Sequence, residues 1–136
     1  METLIQVTGK RKTAVARAVL RRIKEGGKIK INNTLLENYE PKLARLKLME
    51  PLLIAGDRFK GADISVSVKG GGPMGQAEAA RLAIARLIVQ HTKDKNLEKE
   101  FLEYDRHLLI ADVRRREERK PNTAGKARSK IQKSYR

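Results

Sequence analysis

The amino-acid sequence predicts an α+β domain, in which helices cover one side of a sheet. Three observations favour this fold class. Strand-type segments occupy residues 4–33, a further strand-type segment lies at 62–69, and two helix-type segments follow it. The length of 136 residues allows one domain, because single cores typically occupy ~100–150 residues.

The first strands are predicted to form an antiparallel β-meander. Residues 4–7 are a short β-type run that we expect Gly9 to end, and residues 28–31 form a third strand after a glycine turn. The second strand runs from residue 13 to residue 20. Its alternation places four side chains on one face: Ala14, Ala16, Ala18 and Leu20.

A helix is expected to begin at Pro41, since proline suits the first turn of a helix. Leu43, Leu46 and Met49 follow at a spacing of three residues and predict the buried side of this helix. We expect Pro51 to interrupt it and to begin a second short helix.

Residues 62–69 show the clearest strand pattern, with Ile64, Val66 and Val68 on one face. A glycine-rich loop over residues 70–76 then leads into the strongest helix. Five residues form the apolar stripe of that helix: Ala77, Ala80, Ile84, Leu87 and Ile88. A last helix is expected over residues 96–105, with four residues on its core side: Leu97, Phe101, Tyr104 and Leu108.

The charge of the chain is strongly basic and unevenly distributed. Lys and Arg number 31 against 16 Asp and Glu, a formal net charge of +15. Residues 1–24 carry a net charge of +6, residues 25–112 carry +1 and residues 113–136 carry +8. A nearly neutral middle between two basic ends indicates a polyanionic partner.

The charge pattern also suggests how the chain is divided. We expect a globular body over residues 1–112 and an extended basic tail over residues 113–136, because the tail has too few apolar groups to offset its ordering entropy. The alternative is a disordered, solubilising tail. The last 18 residues contain seven Lys or Arg and no acid, which favours an arm that orders on a polyanion.

Composition excludes several classes of protein. The absence of cysteine excludes disulfide scaffolds, thiolate zinc sites and cysteine nucleophiles, and His91 and His107 are too few for a histidine metal site. We expect no metal and no cofactor. No apolar run approaches the ~20 residues of a membrane span, and no signal peptide is recognisable, so a cytoplasmic protein without a membrane partner is expected. The five aromatic residues form no cluster, which favours phosphate contacts over base stacking.

The loop Gly70-Gly71-Gly72-Pro73-Met74-Gly75-Gln76 has two interpretations. Its glycines could let backbone N–H groups approach phosphate oxygens at a helix N-terminus, or they could form a tight turn for close strand–helix packing. The loop is neither a Walker motif nor a dinucleotide-binding fingerprint. We favour phosphate contact, with nucleic-acid backbone as one source of phosphates.

The segment Gly9-Lys10-Arg11-Lys12 could be only a charged hairpin tip, but three consecutive cations repel one another without a counter-charge. Arg17 and Arg21 on the next strand would widen this basic patch. Arg114-Arg115-Arg116 form a second cluster beside Asp112, which we expect to hold a local cation or cap a turn. A single carboxylate without a partner base gives poor support for catalysis.

Several segments resemble the family of ribosomal protein nine of the small subunit. One is Gly9-Lys10-Arg11-Lys12-Thr13-Ala14-Val15-Ala16-Arg17. Another joins Gly70-Gly71-Gly72 and Gly75-Gln76-Ala77 to Arg81-Leu82-Ala83-Ile84-Ala85-Arg86. Asp112, Arg114, Glu117 and the ending Lys133-Ser134-Tyr135-Arg136 complete a resemblance that covers essentially the whole chain. The Ser-Tyr-Arg ending is similar to the archaeal and eukaryotic branch, whereas Pro121 departs from the basic residue of many relatives.

The resemblance implies a two-layer body like the second domain of ribosomal protein five, with a left-handed β-α-β crossover against the usual rule. It implies a non-enzymatic constituent of the small ribosomal subunit that binds rRNA of the head (3′ major) domain and has ribosomal proteins as neighbours. Its tail would reach the anticodon stem-loop of the P-site tRNA. No small-molecule substrate is implied.

The residues expected to bind RNA form two sets. The rRNA-binding set is Lys10, Arg11, Lys12, Arg17, Gly70, Gly71, Gly72, Gly75, Gln76, Arg114, Arg115, Arg116, Arg119, Lys120, Lys126, Arg128 and Lys130. The tRNA-binding set, transferred by position from the family, is Lys133, Tyr135 and Arg136.

Two other functions compete with this interpretation. A small-molecule kinase could bind ATP at the glycine-rich loop, but the chain lacks a second domain and a loop Lys or Ser/Thr placed for Mg²⁺ and phosphate. A chromatin-like protein would bind duplex DNA with the same charges. Preference for structured RNA over duplex DNA at ~150 mM salt would distinguish a ribosomal protein from a chromatin-like protein.

Overall fold

The computed structural model of the chain describes residues 4–23, 27–59 and 61–128. Its strands are β1 (Ile5–Arg11), β2 (Ala14–Arg22), β3 (Ile29–Ile31), β4 (Thr34–Leu35) and β5 (Ala62–Lys69). Its α-helices are α1 (Lys42–Ala55), α2 (Pro73–Thr92) and α3 (Lys95–Tyr104), and 3₁₀ turns lie at Leu36–Asn38, Gly56–Arg58 and Arg106–Leu108. This mixture of elements confirms the predicted α+β class.

The strands form one sheet in the order β1-β2-β5-β3-β4. β1 pairs antiparallel with β2, β2 pairs antiparallel with β5, and β5 pairs parallel with β3. The predicted meander is therefore wrong, because β5 lies between β2 and β3. Alternation along a strand shows which side chains share a face, but it does not show which strand is the neighbour. The parallel strands β3 and β5 are connected through α1 as a β-α-β crossover.

The core lies between the sheet and the helices. The predicted inner faces of β2 and β5 are confirmed, since their alternating apolar residues are all buried. The predicted stripe of α2 is buried as well, and α2 packs across β1, β2 and β5. Because many of these residues are alanines, the backbone of α2 approaches the sheet closely.

Gly9 lies inside β1 and does not end the strand, contrary to the sequence expectation. A Cβ atom at Gly9 would overlap with the carbonyl oxygen of Ala79 and lie 2.8 Å from the backbone nitrogen of Ala83. The glycine therefore marks the point where a strand backbone and the α2 backbone nearly touch.

α1 is a single helix that continues through Pro51, so the predicted interruption is wrong. Of the predicted side, only Met49 packs against the core, because Leu43 and Leu46 are 69% and 50% exposed, whereas Ala44 and Leu48 are fully buried. The side that carries Ala44, Leu48 and Pro51 packs inward, where small side chains let α1 approach α2. The ring of Pro51 is fully buried on this side.

The C-terminal elements differ from expectation only at their ends. α2 begins at Pro73, so the loop before it shortens to residues 70–72. Leu97, Phe101 and Leu108 are buried as predicted, whereas Tyr104, at the end of α3, is 58% exposed. No helix within the described part of the chain is long and apolar enough to span a membrane.

Candidate nucleic-acid interface

Four segments meet at one end of the fold, which we call the hairpin end. They are the β1–β2 turn at residues 11–13, the glycine loop at residues 70–72, the first turn of α2, and residues 112–116. The first three line a depression of about 300 Å³. The fourth is attached because Nη1 of Arg115 donates to the carbonyl oxygen of Lys12 at 2.5 Å. Most of the residues predicted to bind rRNA in the first 116 positions therefore lie close together.

Lys12 occupies the tip of the β1–β2 hairpin. Its φ of +52° places it in the left-handed region, as a two-residue turn between Arg11 and Ala14 requires. The Lys12 side chain is exposed and pairs with no acid among the described residues. Its ammonium group is therefore free for an external anion.

The structure supports the close-packing interpretation of the glycine loop, and phosphate contact there stays a prediction. Gly70 has a φ of +79° and a Cβ there would lie 2.5 Å from the carbonyl oxygen of Thr13, and a Cβ at Gly71 would lie 3.1 Å from that of Ala14. These two glycines serve close packing on the hairpin turn. A Cβ at Gly72 would meet no atom of the described residues within 4 Å, so with respect to them the backbone before α2 is open on its outer side.

The start of α2 is held by few partners. Gly72 is the N-cap residue and supplies no side-chain cap, while the Gln76 amide donates to the carbonyl oxygen of Gly70 at 3.2 Å. A Cβ added at Gly75 would meet only the Cβ of Ala14 among the described residues, at 3.9 Å. Uncapped N–H groups at the N-terminus of a helix favour an anion.

A cluster of ion pairs joins the hairpin to the C-terminal segment. Nε of Arg11 donates to Glu78 at 2.6 Å and Nη1 of Arg11 donates to Asp112 at 2.6 Å. Nζ of Lys47 donates to the other oxygen of Glu78 at 2.9 Å. Arg114 donates to Asp112 through its backbone nitrogen at 3.0 Å and through Nη2 at 2.7 Å. The expectation that Asp112 holds a local cation is confirmed.

These contacts change the pKa values of the carboxyl groups. The hydrogen bonds from Arg114, with the charge of Arg11 nearby, hold the pKa of Asp112 well below its usual range. Partial burial would raise the pKa of Glu78, but hydrogen bonds from Lys47 and Arg11 outweigh it and lower that pKa. Both groups are therefore ionised at neutral pH and act as anchors for cations.

Two arginines of α2, to which the sequence analysis assigned no role, hold the segment after α3. Arg81 pairs with Glu50 and with Asp105, the latter at 2.9 Å. Arg86 donates from Nε to the carbonyl oxygen of Leu109 at 2.8 Å and from Nη1 to that of Thr8 at 3.0 Å. In the sequence, two arginines five residues apart on one helix only weakly indicate such contacts, because an arginine on a helix more often faces solvent.

The other predicted residues are more dispersed. Arg17 lies on the sheet face that carries no helices, and Lys10 lies on the edge strand β1. Arg128 pairs with Glu117 at 3.0 Å. Arg119, Lys120 and Lys126 are exposed in a segment without helix or strand. The predicted residues Lys130, Lys133, Tyr135 and Arg136 lie outside the described residues.

Sequence reasoning missed most of the sheet face opposite the helices, which we call the open sheet face. Its depression of about 590 Å³ is lined by residues of four strands, among them Arg17, Arg21, Lys28, Lys30, Ser65 and Ser67. The alternation of β5 places Ser65 and Ser67 outward, but the sequence does not show that β3 lies beside them. Within residues 4–23, 27–59 and 61–128, no group of three or more His, Asp or Glu side chains could hold a metal ion.

Comparison with known proteins shows the family of the chain. Residues 9–136 match the family described as "Ribosomal protein S9/S16". The chain is 51% identical over 134 residues to the small ribosomal subunit protein uS9 of Methanothrix thermoacetophila, which covers 98% of each chain. It is 47% identical over 135 residues to the small ribosomal subunit protein uS9 of Methanococcus maripaludis, again over 98% of each. The relatives are ribosomal proteins and not enzymes, and the chain belongs to the S9/S16 family of ribosomal proteins.

Proposed function

We propose that the protein is a structural constituent of the small ribosomal subunit, acts in the cytoplasm within the ribosome, and binds rRNA of the head domain. The single observation that carries this proposal is the hairpin end, where unpaired cations and an open helix N-terminus converge in a member of a ribosomal protein family. Neighbouring small-subunit ribosomal proteins are its further partners.

The hairpin end suits RNA phosphates for three physical reasons. Lys12 and Arg116 are exposed cations without acidic partners among the described residues. The backbone at Gly72 is open, so a phosphate oxygen can approach the first N–H groups of α2. The helix dipole adds attraction for an anion at the same place.

Arg11 contributes to RNA binding mainly by positioning other cations of the hairpin end. Its guanidinium already faces two carboxylates, on Glu78 and Asp112, so a phosphate would have to compete with both. By holding Asp112, Arg11 places the cations that follow it next to Lys12. Gly70 and Gly71 act in the same indirect way, by shaping the turn.

The ion pair of Arg11 with Asp112 supports a division of the chain after residue 112. We propose a body over residues 1–112 and an rRNA-binding tail from residue 113 that includes Arg114, Arg119, Lys120, Lys126, Arg128 and Lys130. Lys133, Tyr135 and Arg136 would contact the P-site tRNA. The net charge of +8 over residues 113–136 supports a path through RNA, where neutralised phosphates can approach one another.

We further propose that the crossover from β3 through α1 to β5 is left-handed, as in the second domain of ribosomal protein five. The parallel pairing of Ile29–Ile31 with residues 64–66 supports a β-α-β unit at this position.

The test of the rRNA function compares three full-length chains on a transcript of the rRNA head domain. Lys12→Gln/Arg116→Gln removes two cations from the hairpin end. Lys95→Gln/Lys99→Gln removes two exposed cations from α3 and serves as the matched control. Affinity is measured over a salt series, with duplex DNA as competitor.

We expect the hairpin-end variant to reduce the log–log salt slope by about 0.7–0.9 for each phosphate that it no longer binds, while the α3 variant keeps the slope of the unmodified chain. If the unmodified chain prefers duplex DNA to the transcript at ~150 mM salt, the rRNA proposal is wrong. A chain ending at Glu118 tests the tail. The body should still bind the transcript, with a lower affinity, while the P-site tRNA affinity of reconstituted subunits falls.

A further inference from the structure

The open sheet face carries several cations that form no ion pairs with the described residues of the chain. Arg17 and Arg21 project from β2, Lys30 projects from β3, and Lys28 immediately precedes β3. All four are exposed, and none forms an ion pair with another described residue. On the helical side, Arg11, Lys47, Arg58 and Arg81 are each paired with a carboxylate, while Lys95 and Lys99 of α3 are exposed without an acidic partner among the described residues.

The strand register gathers these cations around hydroxyl groups. Arg17 lies opposite Ser67, and Lys30 lies opposite Ser65 on the other side of β5. From the strand spacing, Lys30 is about 10 Å from β2 across the sheet, and Arg17 and Arg21 are roughly 13 Å apart along it. Long basic side chains at these separations can reach neighbouring phosphates of one backbone.

Charge on this face is nearly uncompensated. Asp63 is the one acid among the residues that line the depression in the described part of the chain, and its carboxylate accepts from the backbone nitrogen of Lys28 at 2.7 Å. Alternation accounts for polar residues on an outer sheet face, but it does not account for a single sign of charge. Uncompensated cations on neighbouring strands repel one another unless an anion covers them.

The chemistry of the lining separates an RNA partner from a protein partner. The described lining contains no aromatic side chain, although protein interfaces are enriched in aromatics and depleted in lysine. The same absence disfavours stacking of unpaired bases. Arginine, lysine and serine on a shallow surface match phosphates and the 2′-hydroxyls in the wide minor groove of an RNA helix.

We infer that the open sheet face is a second RNA-binding surface, which holds the phosphate backbone of a helical RNA segment. The inference rests on the proposed function and extends it. Through the hairpin end and this face, the body would bind RNA on two sides. The α1 and α3 helices would not contact the RNA.

The energetic test uses Arg21→Gln/Lys30→Gln, because both side chains are exposed on strands and pair with no described residue. On the head-domain transcript we expect a salt slope smaller by about 1.4–1.8 and an affinity about tenfold lower at ~150 mM salt. The control Lys95→Gln/Lys99→Gln has the same change in charge and should bind as the unmodified chain does. Thermal denaturation of each variant shows whether the fold is retained.

A crosslinking experiment tests the contact directly, without a measurement of binding affinity. The chain contains no cysteine, so Ser67→Cys provides a unique thiol on the open sheet face for a photoreactive label. We expect it to crosslink to the transcript, whereas the exposed position Asn96→Cys on α3 should not. Equal crosslinking from the two positions would overturn the inference.

The outcomes separate this inference from the proposed function. If Arg21→Gln/Lys30→Gln binds like its control while Lys12→Gln/Arg116→Gln is impaired, the open sheet face is not an RNA surface and the proposed function stands. If the unmodified chain fails to bind the transcript, both are wrong. If the sheet variant binds the transcript normally but is absent from reconstituted subunits, a protein neighbour covers this face and the RNA assignment is overturned.

Discussion

The guanidinium of Arg11 donates to the carboxylate of Asp112 at 2.6 Å, although 101 residues of chain separate them. Arg11 ends the first strand, and Asp112 follows the last 3₁₀ turn. Their contact attaches the C-terminal basic segment beside the hairpin of the N-terminal basic segment. Two regions that are remote in sequence therefore form one cationic surface.

Asp112→Asn should loosen this attachment without changing the size of the side chain. A neutral amide oxygen is a weaker acceptor for Arg11 and Arg114 than a carboxylate. We expect a lower melting temperature and faster tryptic cleavage within residues 114–116. Glu103→Gln, an exposed carboxyl on α3, is the control. An unchanged cleavage rate in Asp112→Asn would contradict the role of the ion pair.

Stability should depend on pH in the acidic range. The pKa values of Glu78, Asp105 and Asp112 are lowered in the folded chain from ordinary values of 4.5, 3.8 and 3.8. For Asp105, partial burial would raise the pKa, but bonds from the His107 amide and Arg81 outweigh it.

A lowered folded-state pKa stabilises the fold above the unfolded value, and this contribution disappears as the pH falls through the folded value. The contribution of these three groups to the free energy of unfolding should therefore be nearly constant from pH 7 to about pH 5 and decrease below about pH 4.5. Burial lowers the pKa of His91, so the free energy of unfolding should also fall below about pH 6.5, where the unfolded chain binds a proton more readily than the folded chain. Urea denaturation at a series of pH values measures it. Glu78→Gln should make the decrease shallower, and an identical pH profile would contradict the assignment.

Gly9→Ala should destabilise the fold by about 2 kcal/mol or more, because the added Cβ meets the backbone of α2 and not a movable side chain. Gly72→Ala is the matched control, with open space at the Cβ position and a φ of −96°. Its free energy of unfolding should change by less than about 0.5 kcal/mol. Denaturant titration of both variants checks the difference, which similar values would refute.

Two leucines of α1 should respond differently to truncation. Leu48→Ala removes a fully buried side chain and should cost about 2–4 kcal/mol of unfolding free energy. Leu46→Ala removes a side chain that is 50% exposed and should cost under about 0.5 kcal/mol. Equal costs would show that the outer side of α1 is packed in solution.

Much of the local structure could be predicted from the sequence alone. The inner faces of β2 and β5 and the stripe of α2 follow from periodicity, because a side chain's face is a local property of its element. The division of charge, the absence of cysteine chemistry and the family motifs are likewise properties of the sequence. Of these, only the motifs carry the resemblance to the family.

The neighbours of each element were decided only by the tertiary structure. Insertion of β5 between β2 and β3 created the open sheet face, and close approach of α2 required Gly9 in a strand where the sequence predicted an end. The inward side of α1 was selected by small residues, because packing against α2 depends on shape as much as on hydrophobicity. The pairing of Arg11 with Asp112 was likewise decided by the tertiary structure, since contacts between distant segments exist only once the chain is folded.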